Sequence, residues 1–128
     1  MGYYEAAITE SDFVVEPVAE RSALEALLTL SRLEFGYDLD DRGLTDLDGF
    51  MRLFEIRVVR DQDGVIRHLE FAAQLLLETD DVFRALGPYV RAGSYLRMHS
   101  GTGARWRYEF DGAVTQRHDE PDAPWYGR

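Results

Sequence analysis

The chain has 128 residues, the length of one domain, and it combines 45% hydrophobic with 30% charged residues, as globular proteins do. It contains no cysteine, which excludes disulfides, thiolate metal sites and cysteine nucleophiles. Its formal net charge of −10 disfavours direct binding to nucleic acid, because such binding depends on basic contacts with phosphates.

The first elements predicted in chain order are two short strands, followed by a helix. The strands are expected at residues 3–9 and 12–16. Pro17 suits the first position of the helix, although Ser22 and Glu25 would also fit a capping box at a later start. Leucines recur at helical spacing from Leu24 onwards, and Gly36 is the expected end.

Residues 37–49 are predicted to be one long irregular segment, and they are rich in aspartate. The pattern disfavours a calcium loop here, because Arg42 would occupy the fifth position and Gly49 the twelfth, where a bidentate glutamate is needed. The segment is therefore interpreted as a solvated acidic loop that binds a partner. Its candidate binding residues are Asp38, Asp40, Asp41, Asp46 and Asp48.

A hairpin and a second helix are predicted next. Apolar and polar residues alternate over residues 54–58 and 65–75, and residues 61–64 supply the turn. Residues 69–77 fit a helical period almost as well, so strand and helix both remain open there. The second helix is expected to begin near Thr79, and Pro88 should kink or end it.

Residues 93–116 predict a three-stranded antiparallel meander with two different faces. Leu96 and Met98 should lie opposite Tyr108 and Trp106 on the inner face, because a one-residue slip would expose the aromatic side chains. Phe110 continues this inner face, which indicates core and not a platform for stacking nucleic-acid bases. A type I′ turn at Asp111-Gly112 is expected to lead into the last strand.

The outer face of the meander is expected to be basic. The same register places Arg97 opposite Arg107 and His99 opposite Arg105. Like charges that face each other weaken a sheet, so a compensating group is expected. Three interpretations remain open: neutralisation by the chain's own acids or by water, binding of an acidic partner or anion, and self-association with the acidic loop.

The element order predicts an α+β two-layer sandwich, with a largely antiparallel sheet of five or six strands and two helices packed on it. Residues 1–118 are assigned to this single domain and residues 119–128 to an irregular C-terminal tail. Trp125 and Tyr126 make the tail a candidate docking segment. No apolar run is long enough to cross a bilayer, and no signal peptide is visible, so a cytoplasmic protein without membrane contact is expected.

The sequence contains no recognisable catalytic or cofactor-binding pattern, and no catalytic residue, metal site or cofactor is assigned. His68, His99 and His118 do not have the spacing of metal ligands. Ser100 lies in a predicted glycine-rich turn without a nucleophile elbow. Residues 101–103 lack the lysine of a phosphate-binding loop. An enzyme is therefore not predicted.

Residues 86–114, with the opening Met1-Gly2-Tyr3-Tyr4, resemble small proteins of uncharacterised function from actinobacteria and their phages. All 14 basic residues are arginine, as expected in a GC-rich genome. The resemblance implies no activity, ligand or site residue. It favours an accessory or mobile-element protein.

The first functional hypothesis is a non-enzymatic acidic domain that binds a basic partner protein, for example as an inhibitor, an immunity protein or a phage accessory protein. Acidic domains of this kind can steer to a phosphate-binding surface and occupy it. The second hypothesis is a binder of an anionic small molecule, or an enzyme acting on one, that uses Arg97, His99, Arg105 and Arg107. The third is a subunit of a larger assembly, including a homo-oligomer.

Overall fold

The computed structural model describes residues 4–35, 46–52, 55–71, 74–75, 79–101 and 103–121. In these ranges the chain forms seven strands, three α-helices and one turn of 3₁₀ helix. Their order is β1 (Tyr4–Asp12), α1 (Pro17–Phe35), α2 (Leu47–Arg52), β2 (Ile56–Arg60), β3 (Ile66–Phe71), β4 (Gln74–Leu75), α3 (Thr79–Leu86), the 3₁₀ turn (Gly87–Tyr89), β5 (Tyr95–Ser100), β6 (Arg105–Phe110) and β7 (Thr115–Glu120).

The strands form two antiparallel sheets. The main sheet has the order β4-β1-β5-β6-β7, and β2 and β3 form a separate two-stranded sheet. The predicted α+β fold, with an antiparallel sheet and helices packed on it, is confirmed. The hairpin differs from the prediction because it makes its own sheet. No helix in the described ranges is long and apolar enough to cross a membrane.

A short connecting segment joins the two sheets. The first predicted strand, at residues 3–9, corresponds to β1, which runs on to Asp12 with a bulge between Ile8 and Glu10. The second, at residues 12–16, was wrong, because beyond Asp12 only Val15 forms a bridge, to Ile66. In this stretch, the amides of Phe13 and Val15 donate to the hairpin, while the amide of Val14 donates to Ser94 Oγ beside the main sheet. All three side chains are buried, so the polar alternation of a half-exposed strand is lost here.

Helix α1 begins at Pro17, which decides between the two predicted starts in favour of proline at the first helical position. Its buried stripe contains Ala23, Leu24, Leu27 and Leu28. These positions follow the helical spacing that the sequence indicated, and they place this face of the helix in the hydrophobic core.

Helix α2 lies in and just after the segment that was predicted to be irregular. Asp46 caps it, because the amide of Gly49 donates to Asp46 Oδ1 at 2.8 Å. Leu47, Phe50 and Met51 are buried, at the i, i+3, i+4 spacing of a helix. The prediction was wrong here because the aspartates were interpreted by their charge and not as helix-capping residues.

The hairpin turn at residues 61–64 is confirmed. Asp61 accepts the amide of Gly64 at 3.0 Å, and Gly64 has a φ of +82° that favours glycine. The second arm was predicted to be one strand, with a helix left open at residues 69–77; its described parts are both strand, but they lie in different sheets, and residues 72–73 lie outside the described ranges. Strand β3 pairs with β2, and β4 pairs with β1, so the chain changes sheets at this point. Residues 76–78 lie outside the described ranges.

Helix α3 begins at Thr79 as predicted and gives way at Gly87 to a 3₁₀ turn containing Pro88, which confirms its expected end. Gly87 allows a close approach to β7. A Cβ atom at this position would lie 2.7 Å from Thr115 Oγ1 and 3.0 Å from Thr115 N. Thr115 Oγ1 donates to the carbonyl of Phe83 at 2.6 Å, which fixes the helix end against the sheet.

The core lies between the inner face of the main sheet and the helices. The ring of Phe13 packs edge-on against Phe83 and Phe110, with centroids 6.3 and 5.4 Å away. Phe83 also contacts Tyr108, at 5.1 Å between centroids. Trp106, Tyr108 and Phe110 are all buried, so these aromatic residues are core as predicted.

Candidate functional site

The predicted basic face lies on the outer side of β5 and β6, and its register is confirmed. Arg97 pairs with Arg107 and His99 with Arg105, while Met98 pairs with Trp106 on the inner side. The row formed by Arg97 and Arg107 continues onto the strands on either side, β1 and β7. Glu10 on β1 lies beside Arg97, and His118 on β7 lies beside Arg107. One transverse row therefore reads Glu10, Arg97, Arg107, His118.

Glu10 neutralises one end of this row. Its Oε2 atom lies 3.2 Å from Arg97 Nη1, and its Oε1 atom accepts the hydroxyl of Tyr95 at 2.5 Å. The hydrogen bond to Glu10 holds the pKa of the Tyr95 phenol above its ordinary value, because removing the proton would place two negative charges side by side. Tyr95 therefore acts as a donor that orients the glutamate.

Glu109 neutralises the other end. Its Oε1 atom lies 2.6 Å from Arg107 Nη2, and its Oε2 atom lies 3.5 Å from His118 Nε2. Arg107 and Glu109 are two residues apart on β6, so their side chains share the outer face. The sequence provided this signal, because the alternation that placed Arg107 outward also places Glu109 there.

Arg105 and His99 lie farther along the same face. Arg105 Nε donates to the carbonyl of Pro121 at 2.9 Å, so this arginine contacts the chain just beyond β7. His99 is half-buried and pairs with Arg105 across the two strands. Strand β7 includes Asp119 and Glu120, which the prediction had assigned to the irregular tail. Their pairing with Trp106 and Arg105 on β6 extends the strand past His118.

A surface cleft of about 260 Å³ opens between the two neutralising carboxylates. Its lining residues are Glu10, Gly93, Ser94, Tyr95, Arg97, Arg107, Glu109 and Phe110. An anion entering it would compete with two carboxylates for the guanidinium groups. Neutralisation by the chain's own acids, the first of the three interpretations, therefore describes Arg97 and Arg107.

A second polar cluster lies at the edge of the inner face. The Tyr108 hydroxyl donates to Asp80 Oδ1 at 2.5 Å, and Arg117 Nη1 lies 2.9 Å from the same oxygen. The Arg117 guanidinium also stacks over Trp106, 4.8 Å from the ring centroid. Burial opposes the ionisation of Asp80, but the hydrogen bonds from Tyr108 and Arg117 outweigh it and hold its pKa below the ordinary value.

The acidic loop residues that the structure describes have structural roles. Asp46 caps α2, and Asp48 binds Arg60 together with Glu20 of α1. Arg60 Nη1 lies 2.7 Å from Glu20 Oε2, and Arg60 Nε lies 3.3 Å from Asp48 Oδ2. The two acids raise the pKa of Arg60 above its ordinary value, although partial burial opposes this.

Several other predicted site residues cannot be placed. Asp38, Asp40 and Asp41 of the acidic loop lie outside the described ranges, as do Trp125 and Tyr126 of the tail. Binding by these residues stays a prediction. Within the described ranges, no group of three or more histidine, aspartate or glutamate side chains is placed to hold a metal ion.

Ion pairing within the chain engages many of the arginines. Those paired with a carboxylate in the described ranges are Arg21, Arg57, Arg60, Arg67, Arg91, Arg97, Arg107 and Arg117. The chain has 24 acidic residues against 14 arginines. Its excess of carboxylates therefore remains after many of its cations have been matched internally.

Comparison of the chain with protein-family models, with curated proteins and with solved structures finds no match.

Proposed function

We propose that this chain is a non-enzymatic acidic domain that binds a basic surface of another protein. The supporting observation is the internal pairing of the arginines. Even the Arg97–Arg107 row on the outer sheet face is bordered by Glu10 and Glu109. The chain therefore presents a partner with a net charge of −10, and many of its arginines already pair with carboxylates of the same chain.

Charge of this kind acts in two ways. At long range it increases the rate of encounter with a positively charged partner, and salt screens this effect over about 10 Å. At contact, a carboxylate without an internal partner can accept an arginine or lysine of the other protein. An inhibitor, an immunity protein and a phage accessory protein would each use such a surface to cover a basic groove.

Capture on the immobilised chain, from the lysate of a GC-rich bacterium, tests the proposal. Mass spectrometry should identify a stoichiometric basic protein, and its retention should fall steeply as salt rises. Empty capture, or capture that does not depend on salt, would contradict the proposal.

Two charge variants then separate recognition from simple attraction. The triple variant D63N/D81N/E120Q neutralises carboxylates for which the described residues provide no ion pair. The control E16Q/E25Q/E70Q neutralises the same number of acids, but these pair with Arg91, Arg21 and Arg57. The first set should weaken binding of the captured protein by about tenfold or more, at about 1.4 kcal/mol per tenfold. Equal losses in both sets would indicate non-specific attraction and contradict the proposal.

The cleft beside Arg97 and Arg107 supports a second candidate, the binding of an anionic small molecule. Arg107 Nε is buried and has no hydrogen-bond partner in the described part of the chain, so one donor is unused. A carboxylate or phosphoryl group could accept from it if Glu109 swung aside. A thermal-shift screen with phosphorylated and carboxylate metabolites tests this candidate, and the absence of any shift would count against it.

A further inference from the structure

Strand β7 ends the main sheet, and no described strand pairs with its outer edge. It runs for six residues in unbroken register with β6, from the Phe110–Thr115 pair to the Arg105–Glu120 pair. An edge of this kind presents unpaired backbone donors and acceptors that can bind another extended chain.

The backbone hydrogen bonds of β6 show which groups of β7 face outward. The amide of Phe110 donates to Ser94 and that of Ser100 donates to Ala104, so alternate residues of β6 bond towards β5. The remaining β6 residues, including Arg107, bond towards β7. His118 therefore points its amide inward at β6, and Arg117 and Asp119 point their amides and carbonyls to the open edge.

At Thr115, the first residue of β7, this edge is covered by the chain itself. Gly87 and the 3₁₀ turn approach Thr115 so closely that a Cβ atom there would lie 3.0 Å from Thr115 N. Among the described residues, the backbone groups left at this edge are therefore those of Arg117 and Asp119. Together they provide two donors and two acceptors, which suits an added segment of about four to five residues.

The side chains leave this edge accessible. Protected edges carry lysine, proline, a bulge or an inward-pointing charge. Strand β7 has no lysine, proline or bulge. It does carry inward-pointing charges, since Arg117 and Asp119 lie opposite Tyr108 and Trp106 of the inner face. These charges are matched within the chain, because Arg117 pairs with Asp80 and Asp119 and stacks on Trp106.

The charge around the edge indicates the occupant. Four carboxylates lie on β7 and on the adjacent first turn of α3. These acids are Asp80, Asp81, Asp119 and Glu120. Arg117 pairs with two of them, Asp80 and Asp119, and Arg84 also acts on Asp80, whereas Asp81 and Glu120 have no ion pair among the described residues. We infer that the β7 edge takes an extended basic segment of the partner as an additional strand. This inference rests on the proposed function and specifies the surface that carries it.

Hydrogen exchange followed by NMR tests the inference. The ¹⁵N-labelled chain is titrated with a ten-residue peptide of alternating arginine and threonine. The amides of Arg117 and Asp119 should exchange at least about tenfold more slowly in the complex, as backbone amides do when they become hydrogen-bonded. The amide of His118, already bonded to β6, should change little. A control peptide methylated at alternate backbone nitrogens keeps the charge but loses donors, and it should bind about tenfold more weakly.

Two variants at position 119 separate the contribution of the backbone amide to peptide binding from that of the side-chain charge. Asp119→Pro removes an outward amide that the fold does not use, which edge strands tolerate. It should abolish the protection of the Arg117 amide while the chain stays folded. Asp119→Asn keeps the amide and should only reduce the salt dependence of binding.

Equal binding of the two peptides, no binding of either, or unchanged exchange at Arg117 and Asp119 would overturn the inference. Protection that rises with protein concentration in the absence of peptide would overturn it in favour of a second copy of this chain. A captured basic partner that leaves both amides exposed would overturn strand addition and keep the proposed function. Failure to capture any basic partner would contradict the proposed function itself.

Discussion

Tyr108 donates its hydroxyl hydrogen to Asp80 at 2.5 Å, which connects a fully buried aromatic residue of β6 to the first turn of α3. The bond satisfies the one polar atom of an otherwise apolar side chain. It also leaves Asp80 positioned to pair with Arg117 on the edge strand.

Tyr108→Phe should lower the free energy of unfolding by about 1–2 kcal/mol, because a hydrogen bond to a charged group is lost while the aromatic packing is kept. Denaturant unfolding measures this change. Tyr89→Phe is a matched control at a half-buried tyrosine and should have a smaller effect. An equal loss at both positions would contradict the role given to the bond.

Stability should fall in acid partly through Asp80. Its pKa is lowered in the folded chain, so its contribution is complete above the ordinary aspartate value near 3.9 and is lost as the pH falls through the lower folded value. Asp80→Asn removes this contribution. The stability difference between the parent chain and the variant should therefore shrink below about pH 4. A constant difference between pH 6 and pH 2 would be inconsistent with this assignment.

Arg60 joins α1, α2 and the hairpin through Glu20 and Asp48. Arg60→Gln should destabilise the chain by about 2–4 kcal/mol, because two partly buried carboxylates would be left without a cation. Arg21→Gln is the control, since it removes an exposed pair with Glu25 on a helix surface and should cost about 0.5 kcal/mol or less. Urea unfolding of both variants distinguishes these magnitudes, and similar values would refute this role of Arg60.

Gly87→Ala should destabilise the chain by about 1–3 kcal/mol, because the new Cβ would overlap Thr115. Thr115→Ala removes the nearer of the overlapping atoms but loses the bond to Phe83. The double variant should therefore lose less stability than the sum of the two single variants. Additive losses in thermal unfolding would show that the close approach is not the cause.

Glu109→Gln should make the outer cleft a better anion site. It removes the charge that neutralises Arg107 without removing the side chain. Phosphate should then raise the melting temperature of this variant more than that of the parent chain. Glu25→Gln provides the control, because Glu25 lies on α1 and does not line this cleft. No gain over that control would show that Glu109 does not compete for this cleft.

The register of the meander was predictable because both faces constrained it. A slip of one residue would have exposed Trp106 and Tyr108, and the observed pairs are the ones that this argument favours. The turn into β7 was less well determined. Gly112 has a φ of +92°, but Asp111 does not adopt positive φ and instead accepts the amides of Ala113 and Val114. The expected type I′ turn was therefore wrong, and glycine at the first central position fits type II′.

The candidate site was harder to predict because its partners are distant in sequence. Glu10 reaches Arg97 only through the pairing of β1 with β5, and Glu20 reaches Arg60 through tertiary packing. Helix α2 has a local signal in the sequence that was interpreted as acidic loop. Asp46 is followed by apolar residues at helical spacing, which is the pattern of a capped helix start.

The connection at residues 13–15 has a mechanical consequence. The amides of residues 13–15 donate alternately to the hairpin and to Ser94 beside the main sheet. Neither sheet can therefore separate from the other without breaking hydrogen bonds of these three residues. Spectroscopic reporters placed separately in the two sheets should therefore melt together, as one cooperative body.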